Sequence, residues 1–206
     1  MSDGFGKYDI YAVAGSMYCY PDSDVLRNRL GITDRTTLKK VESDISAVRQ
    51  SEMLEAPVKG RFSPTHLRNI HRHLLGDIYS FAGHYRYEDI AKGQTRFLHY
   101  PDIPKKLSKL LSELKQENFL RGIDEASLLE RSSYYMAELN YIHPFREGNG
   151  RAIREFMRLL FLQCGYTVHW DAVDSDELLG AMIDSVYELN QLRHTLKQCI
   201  IQKELP

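Results

Sequence analysis

The segment that decides the fold reads His143-Pro-Phe-Arg-Glu-Gly-Asn-Gly-Arg-Ala-Ile-Arg154. Pro144 disfavours helical backbone angles in the residue before it, so the preceding amphipathic helix is predicted to end at about His143. Two glycines around an asparagine, Gly148 to Gly150, let successive backbone N–H groups turn toward one point. A new helix is predicted to begin there, and the positive end of its dipole attracts anions as well. The pattern is therefore typical of a phosphate site.

The charged side chains of this segment indicate chemistry on a phosphate. Arg151 and Arg154 lie in the first turns of the new helix, where the dipole disfavours cations, and their spacing places them on one face. An oligophosphate across the helix start would accept bidentate guanidinium bonds from both. Glu147 offers a carboxylate for a magnesium ion, and His143 is a candidate general base. We interpret the set as a phosphoryl- or nucleotidyl-transfer site.

Composition predicts an ordinary soluble domain. The 206 residues suffice for one sizeable core, and 27 basic against 28 acidic residues give a formal net charge of −1. This balance argues against bulk nucleic-acid binding. Three widely spaced cysteines give no disulfide framework, which suits a reducing compartment. We expect no signal peptide and no membrane span.

Helical periodicity dominates the chain, so an all-α domain is predicted. Residues 84–99 break the periodicity and predict the one β-hairpin, with its turn at Lys92-Gly93-Gln94-Thr95. The predicted helices follow from apolar stripes and from caps such as Asp34, Ser63 and Asp124. They span Pro21–Leu30, about 35–54, 64–82, Pro101–Phe119, 124–141 and 149–163, with two more from near Asp174 through Leu196.

At this point the sequence resembles a known family. His143 to Arg154 matches every defined position of the Fic signature, His-x-Phe-x-Asp/Glu-Gly-Asn-Gly-Arg-x-x-Arg. Residues 21–32 are similar to the start of stand-alone bacterial members. The resemblance implies a helical bundle with one β-hairpin flap. It further implies a single Fic domain over 1–206, with an amino-terminal arm and helices at 1–62 and a core at 63–200 that holds the flap (84–99) and the motif (143–154). The positions that resemble the family's flap region are Phe81-Ala82-Gly83, Arg86, Ile90, Lys92-Gly93 and Phe97.

The resemblance implies transfer of AMP from ATP to a hydroxyl group of a target protein, with Mg²⁺ present. The family's base corresponds to His143 and its magnesium ligand to Glu147. Its phosphate contacts correspond to Gly148, Asn149 and Gly150 for the α- and β-phosphates, Arg151 for the β-phosphate and Arg154 for the γ-phosphate. The flap, with Lys92, Gly93 and Phe97, would pair with an extended target segment by strand addition.

Other chemistries exist within the family. Its Doc kinase branch carries lysine where this chain has Gly150, so the intact glycine favours AMP transfer. Phosphorylation or UMP transfer on the same site remains an alternative reaction. An inactive interaction module remains an alternative of another class, although the motif is complete.

Members of the family are commonly inhibited by a helix bearing Ser/Thr-x-x-x-Glu-Gly/Asn. The nearest match, Ser51 to Glu55, is followed by Ala56 and is interpreted as a coincidence. We therefore predict a separate small helical antitoxin that binds Arg154, or a Fic module of a secreted effector. Topoisomerase subunits would suit a toxin as targets, and small GTPases would suit an effector. A bacterial cytoplasmic location is expected, with translocation into a host or recipient cell left open.

Several further residues are interpreted as ordinary scaffold. His71 and His73 are two apart on a helix, which favours surface positions on different sides. His84 and His99 flank the hairpin and are expected to be solvated. Tyr187 and Asn190 are candidates for a wall of the adenine pocket.

Overall fold

The structure, a computed structural model, describes residues 15–92 and 95–202. Over these ranges the chain is mostly helical, and its short strands form two antiparallel pairs. The helices are α1 (Arg35–Glu55), α2 (Pro64–Leu75), α3 (Ile103–Gln116), α4 (Glu125–Ile142), α5 (Asn149–Gln163), α6 (Ser175–Asp184) and α7 (Asn190–Cys199). The strands are β1 (Ala91–Lys92), β2 (Thr95–Arg96), β3 (Tyr166–Val168) and β4 (Ile200–Gln202).

Side-chain caps begin the helices where the sequence predicts them. The Asp34 carboxylate accepts the N–H of Thr37 at 2.8 Å, and the Ser63 hydroxyl accepts the N–H of His66 at 3.3 Å. Asp124 and Asp174 cap α4 and α6 in the same way. Each cap satisfies an N–H that the first turn of a helix leaves without a partner, so local chemistry fixes these starts.

The helix predicted at Pro21–Leu30 is wrong. These residues form turns, and Cys19 pairs with Leu26 through an isolated antiparallel bridge. The Asn28 side chain explains the difference, because its amide donates to the carbonyls of Leu26 (3.0 Å) and Ile32 (2.7 Å). Asparagine side chains that bond nearby backbone offer the chain an alternative to a helix.

Two other boundaries and one sheet also differ from expectation. Helix α2 ends at Leu75, well before Gly83. The hairpin is confined to β1 and β2, and its turn residues 93–94 lie outside the described residues. The pairing of β3 with β4 was not predicted, because its two strands are far apart in sequence and each has only three residues.

Helix α5 lies at the centre of the hydrophobic core. It packs against α2, α4 and β3, and it buries Ile153, Phe156 and Leu160 completely. Helix α1 is more peripheral than its predicted stripe implied, since Val48 (60% exposed) and Leu54 (62% exposed) face solvent. The core therefore holds the N-terminus of α5, where the motif lies, in a fixed position.

Two predictions about the whole chain have different outcomes. The helical bundle with a β-hairpin is confirmed, with the β3–β4 pair added. The single domain over 1–206 stays a prediction, because residues 1–14 and 203–206 lie outside the described part. No helix among the described residues combines the length and the apolar character that a bilayer crossing requires.

Candidate active site

The motif loop joins α4 to α5 through two left-handed residues. His143 ends α4 with φ +43°, and Gly148 precedes α5 with φ +74°. The buried side chain of Asn149, the first residue of α5, accepts the N–H of Phe145 at 2.9 Å and donates to its carbonyl at 2.8 Å. The asparagine side chain is thus used inside the loop, so its contribution to a ligand would come from the backbone.

The predicted anion nest consists of the backbone N–H groups of Gly148, Asn149 and Gly150. The N–H of Gly148 donates to Oε1 of Glu147 at 2.8 Å, beside the N-terminus of α5. This N–H therefore has an anionic partner within the loop, and the binding of phosphate by the nest stays a prediction.

His143 is buried and neutral. Its Nδ1 lies 3.1 Å from the carbonyl of Asn140, and a carbonyl only accepts, so Nδ1 carries the proton and Nε2 carries the lone pair. The ring stacks on Phe97 at 3.7 Å between centroids. Burial, together with the nearby charges of Lys92 and Arg86, lowers the pKa of His143 to about 3. The lone pair needed by a general base is therefore present at neutral pH.

Arg86 belongs to the segment that resembles the family's flap region, and the sequence alone indicates no structural role for it. The side chain is 2% exposed, and its Nε donates to the carbonyl of His143 at 2.8 Å. Its other nitrogens donate to the carbonyls of Glu88 at 2.8 Å and of Leu98. Arg86 thereby ties the segments flanking the hairpin to the end of α4, which places Phe97 over His143.

Arg151 is held by α1. Its guanidinium pairs with the carboxylate of Glu42 and donates to the Ser46 hydroxyl at 3.0 Å. Glu147 lies 3.6 Å away, and Tyr79 donates its hydroxyl hydrogen to Glu42. Burial disfavours the charged guanidinium, but the carboxylates of Glu42 and Glu147 outweigh burial and raise the pKa of Arg151. Sequence alone gave no signal for Glu42 and Ser46, because they lie more than a hundred residues from Arg151.

Arg154 lies in a region of positive potential. Burial and the neighbouring Arg151 together lower the pKa of Arg154 to about 10. A Cβ added at Gly150 would lie 3.3 Å from Nη1 of Arg154, so the guanidinium lies close to the nest. An anion bound here would favour the charged form of Arg154.

The expectation that His71 is a surface residue is wrong. His71 is fully buried, and its Nε2 lies 2.7 Å from the main-chain carbonyl of Glu147. A signal for this was present in the sequence, because His71 is four residues after Leu67 and three before Leu74, on the apolar face of α2. His73 is half-buried and lies 3.3 Å from Glu52.

The remaining candidates are spread around the site. Lys92 is half-buried in β1, Gly93 lies outside the described residues, and Phe97 covers His143. His84 and His99 are exposed, as expected. Tyr187, 85% exposed, lies in the turn between α6 and α7, and Asn190 is exposed at the start of α7.

Buried histidines predict a pH-dependent stability, and His71 and His143 have the largest shifts in pKa. Burial lowers the pKa of His71 and of His143 from 6.5 to about 3. Between these values the unfolded chain binds protons that the folded chain does not, so the free energy of unfolding should fall as pH falls from 6.5 toward 3. Each histidine contributes about 1.4 kcal/mol per pH unit in this window.

Urea unfolding at pH 7, 6 and 5 measures this slope. The His71→Gln variant is the control, because it has one such group fewer and should show a shallower dependence on pH. A free energy of unfolding that does not change between pH 6.5 and 5 would contradict the assignment.

The fold and the site together define a helical domain with a glycine-containing loop at a buried helix N-terminus and a buried, neutral histidine at the start of that loop. The model of the Fic/DOC family matches residues 61–161. The chain is 39% identical over 186 residues to protein adenylyltransferase VbhT of Bartonella schoenbuchensis, covering 90% of this chain and 39% of that protein. It is 36% identical over 177 residues to the probable protein adenylyltransferase Fic of Escherichia coli K12, covering 85% and 84%. This chain belongs to the Fic/DOC family, which confirms the resemblance based on the motif.

Solved structures show the same fold. BepC of Bartonella tribocorum, a VirB-translocated effector solved with bound AMPPNP, has a TM-score of 0.83 at 24% identity over 91% of this chain and 97% of that one. The N-terminal Fic domain of a Bep effector of Bartonella quintana, solved with bound ADP, has a TM-score of 0.84 at 22% identity over 91% and 95%. The chain spans less than half the length of VbhT but most of the Escherichia coli relative.

Proposed function

We propose that this chain is a protein adenylyltransferase that transfers AMP from ATP to a hydroxyl group of a target protein. The observation that carries the proposal is the juxtaposition of a neutral, buried His143 with the nest at the start of α5. Two relatives named probable protein adenylyltransferase Fic, of which this chain covers 84% and 82%, support it.

In the proposed reaction the target hydroxyl oxygen attacks the α-phosphorus of ATP. A new O–P bond forms, the bond from the α-phosphorus to the pyrophosphate oxygen breaks, and Nε2 of His143 takes the hydroxyl proton. The N–H groups of Gly148, Asn149 and Gly150 would face the α- and β-phosphates once the Glu147 carboxylate leaves the Gly148 N–H. Arg151 and Arg154 bind the β- and γ-phosphates.

Glu147 fits a magnesium ion only together with the substrate. Across residues 15–92 and 95–202, no group of three or more His, Cys, Asp and Glu side chains is arranged to hold a metal. Mg²⁺ commonly takes one carboxylate, several waters and substrate phosphate oxygens, and Glu147 beside the nest would supply the carboxylate. When bound, the ion would neutralise phosphate charge.

Labelled ATP tests the proposed reaction. With α-³²P ATP and bacterial lysate, the wild-type protein should leave label on a protein band, and γ-³²P ATP should leave none. Label from the γ position would instead support phosphorylation. Label from neither position would contradict transfer from ATP, and α-³²P UTP then tests the UMP alternative.

The names of the relatives do not give the partners, the domain bounds or the location of this protein, so these are proposed separately. We propose a single domain over 1–206, docking of the target through Lys92, Gly93 and Phe97, and control by a separate helical antitoxin at Arg154.

Ser51 and Glu55, the nearest internal match to an inhibitory motif, are both exposed near the end of α1, which favours control from outside the chain. A peptide bearing Ser/Thr-x-x-x-Glu-Gly/Asn that fails to compete with AMPPNP would contradict this. The bacterial cytoplasm is the proposed site of action, with Bep effectors as precedent for translocation.

A further inference from the structure

His71 connects two parts of the proposed active site. From α2, its Nε2 reaches the carbonyl of Glu147 at 2.7 Å, while the N–H of Gly83 reaches its Nδ1 at 2.8 Å. Its ring stacks on Phe145 at 3.8 Å between centroids, with 15° between the planes. One buried side chain thus contacts both the motif loop and the turn from which the chain continues toward the hairpin.

The donors and acceptors fix the state of the ring. An N–H of the backbone only donates, so Nδ1 of His71 must accept from Gly83 and carries no proton. Nε2 then carries the ring proton and donates it to the carbonyl of Glu147. A neutral imidazole with the proton on Nε2 is the one form that makes both bonds.

The hydrogen bond from His71 to the Glu147 carbonyl lies next to the most tightly packed residue of the loop, Gly148. Gly148 follows with φ +74°, and a Cβ added to it would lie 2.3 Å from Cδ1 of Leu75 and 3.5 Å from Nε2 of His71. The peptide that supplies the first nest N–H therefore has its carbonyl oxygen held by His71 and its α-carbon packed against α2. A shift of this peptide would move the nest relative to Arg151 and Arg154.

We propose that His71 is a positioning residue that orients the Glu147–Gly148 peptide, and with it the phosphate nest, relative to the turn at Gly83. The proposal rests on the proposed nucleotide site. His71 acts through the peptide and does not touch the reacting atoms.

Two amide substitutions separate the two bonds of the ring. In His71→Gln the amide nitrogen falls near the position of Nε2 and keeps the bond to Glu147, but the acceptor for Gly83 is lost. In His71→Asn the amide oxygen falls near Nδ1 and keeps the bond to Gly83, but the donor to Glu147 is lost. Each variant leaves one buried backbone group without its partner, so a loss of thermal stability alone does not distinguish them.

AMPPNP binding measured by calorimetry does distinguish them. His71→Asn should bind AMPPNP about tenfold more weakly than His71→Gln, because only the asparagine variant frees the nest peptide. Affinities within about threefold of each other overturn the proposal, since a purely structural role would weaken both equally. If the wild-type protein does not bind AMPPNP, the proposed function is contradicted as well. If the wild type binds AMPPNP and the two variants have equal affinities, only the role of His71 is contradicted.

A second measurement avoids the variants, should either of them fail to fold. Long-range ¹H–¹⁵N spectra of the wild-type protein report which nitrogen of a neutral histidine carries the proton. The proton on Nε2 of His71 is expected. A proton on Nδ1 would remove the bond to Glu147 and overturn the proposal.

Discussion

Replacement of His143 by alanine is expected to lower AMP transfer by about 10²- to 10⁴-fold, the usual contribution of a general base. AMPPNP binding should largely survive, because the N–H groups of the nest and the two arginines belong to α5 and its start, not to the imidazole. Transfer is measured with α-³²P ATP and AMPPNP affinity by calorimetry.

The geometry makes His143 a base whose strength depends on the nucleotide. Its pKa is low because the ring is buried beneath Phe97, with Lys92 and Arg86 nearby. Phosphate groups in the nest would place negative charge close to the imidazole and raise its pKa, so the proton affinity would increase when substrate is bound. The imidazolium that forms when His143 takes the proton would then be stabilised by the bound phosphates.

His84→Ala is the matched control, because His84 lies close to the hairpin but is exposed. Its transfer activity should match the wild type. An His143→Ala protein that transfers at the wild-type rate would exclude His143 as the base. Loss of both transfer and AMPPNP binding would instead indicate collapse of the loop that Arg86 holds through the His143 carbonyl.

The sequence predicts the parts of the structure that local chemistry decides. Ser63 and Asp124 cap α2 and α4 because a side-chain oxygen within three residues of an N–H suffices. Pro144 and the glycines of the motif mark the loop for the same reason, since they restrict or release backbone angles at their own positions. The motif could therefore be located, and its anion-binding geometry expected, without any tertiary contact.

The remaining features depend on contacts that are distant in sequence. Glu42 reaches Arg151 only because α1 packs beside the start of α5, and the β3–β4 pair forms only after the chain between its strands has folded. For His71 the informative pattern is its spacing from Leu67 and Leu74, which places it on the buried face of α2. A polar residue on an apolar helix face is a better indicator of a buried hydrogen-bonding role than the distance to another histidine.

Replacement of Gly148 by alanine is expected to damage both folding and nucleotide binding. A non-glycine residue at φ +74° costs about 1–2 kcal/mol. The added Cβ would lie 2.3 Å from Cδ1 of the buried Leu75, and overpacking of this kind adds about 1–3 kcal/mol. The free energy of unfolding should therefore fall by about 2–5 kcal/mol, and AMPPNP affinity should fall by about tenfold or more as the nest N–H turns away.

Gly150→Ala is the matched control within the same motif. Gly150 lies inside α5 without a positive φ, and the nearest atom to an added Cβ is Nη1 of Arg154 at 3.3 Å, the end of a long side chain. Alanine also favours a helix over glycine by up to about 1 kcal/mol, so the stability of this variant should be unchanged or slightly higher. Both substitutions add one methyl group to the phosphate motif, two positions apart. Equal losses of stability in urea unfolding and of affinity in AMPPNP titration would contradict this prediction. They would show that any methyl group added to this loop disturbs it, whether or not the residue has the left-handed conformation of Gly148.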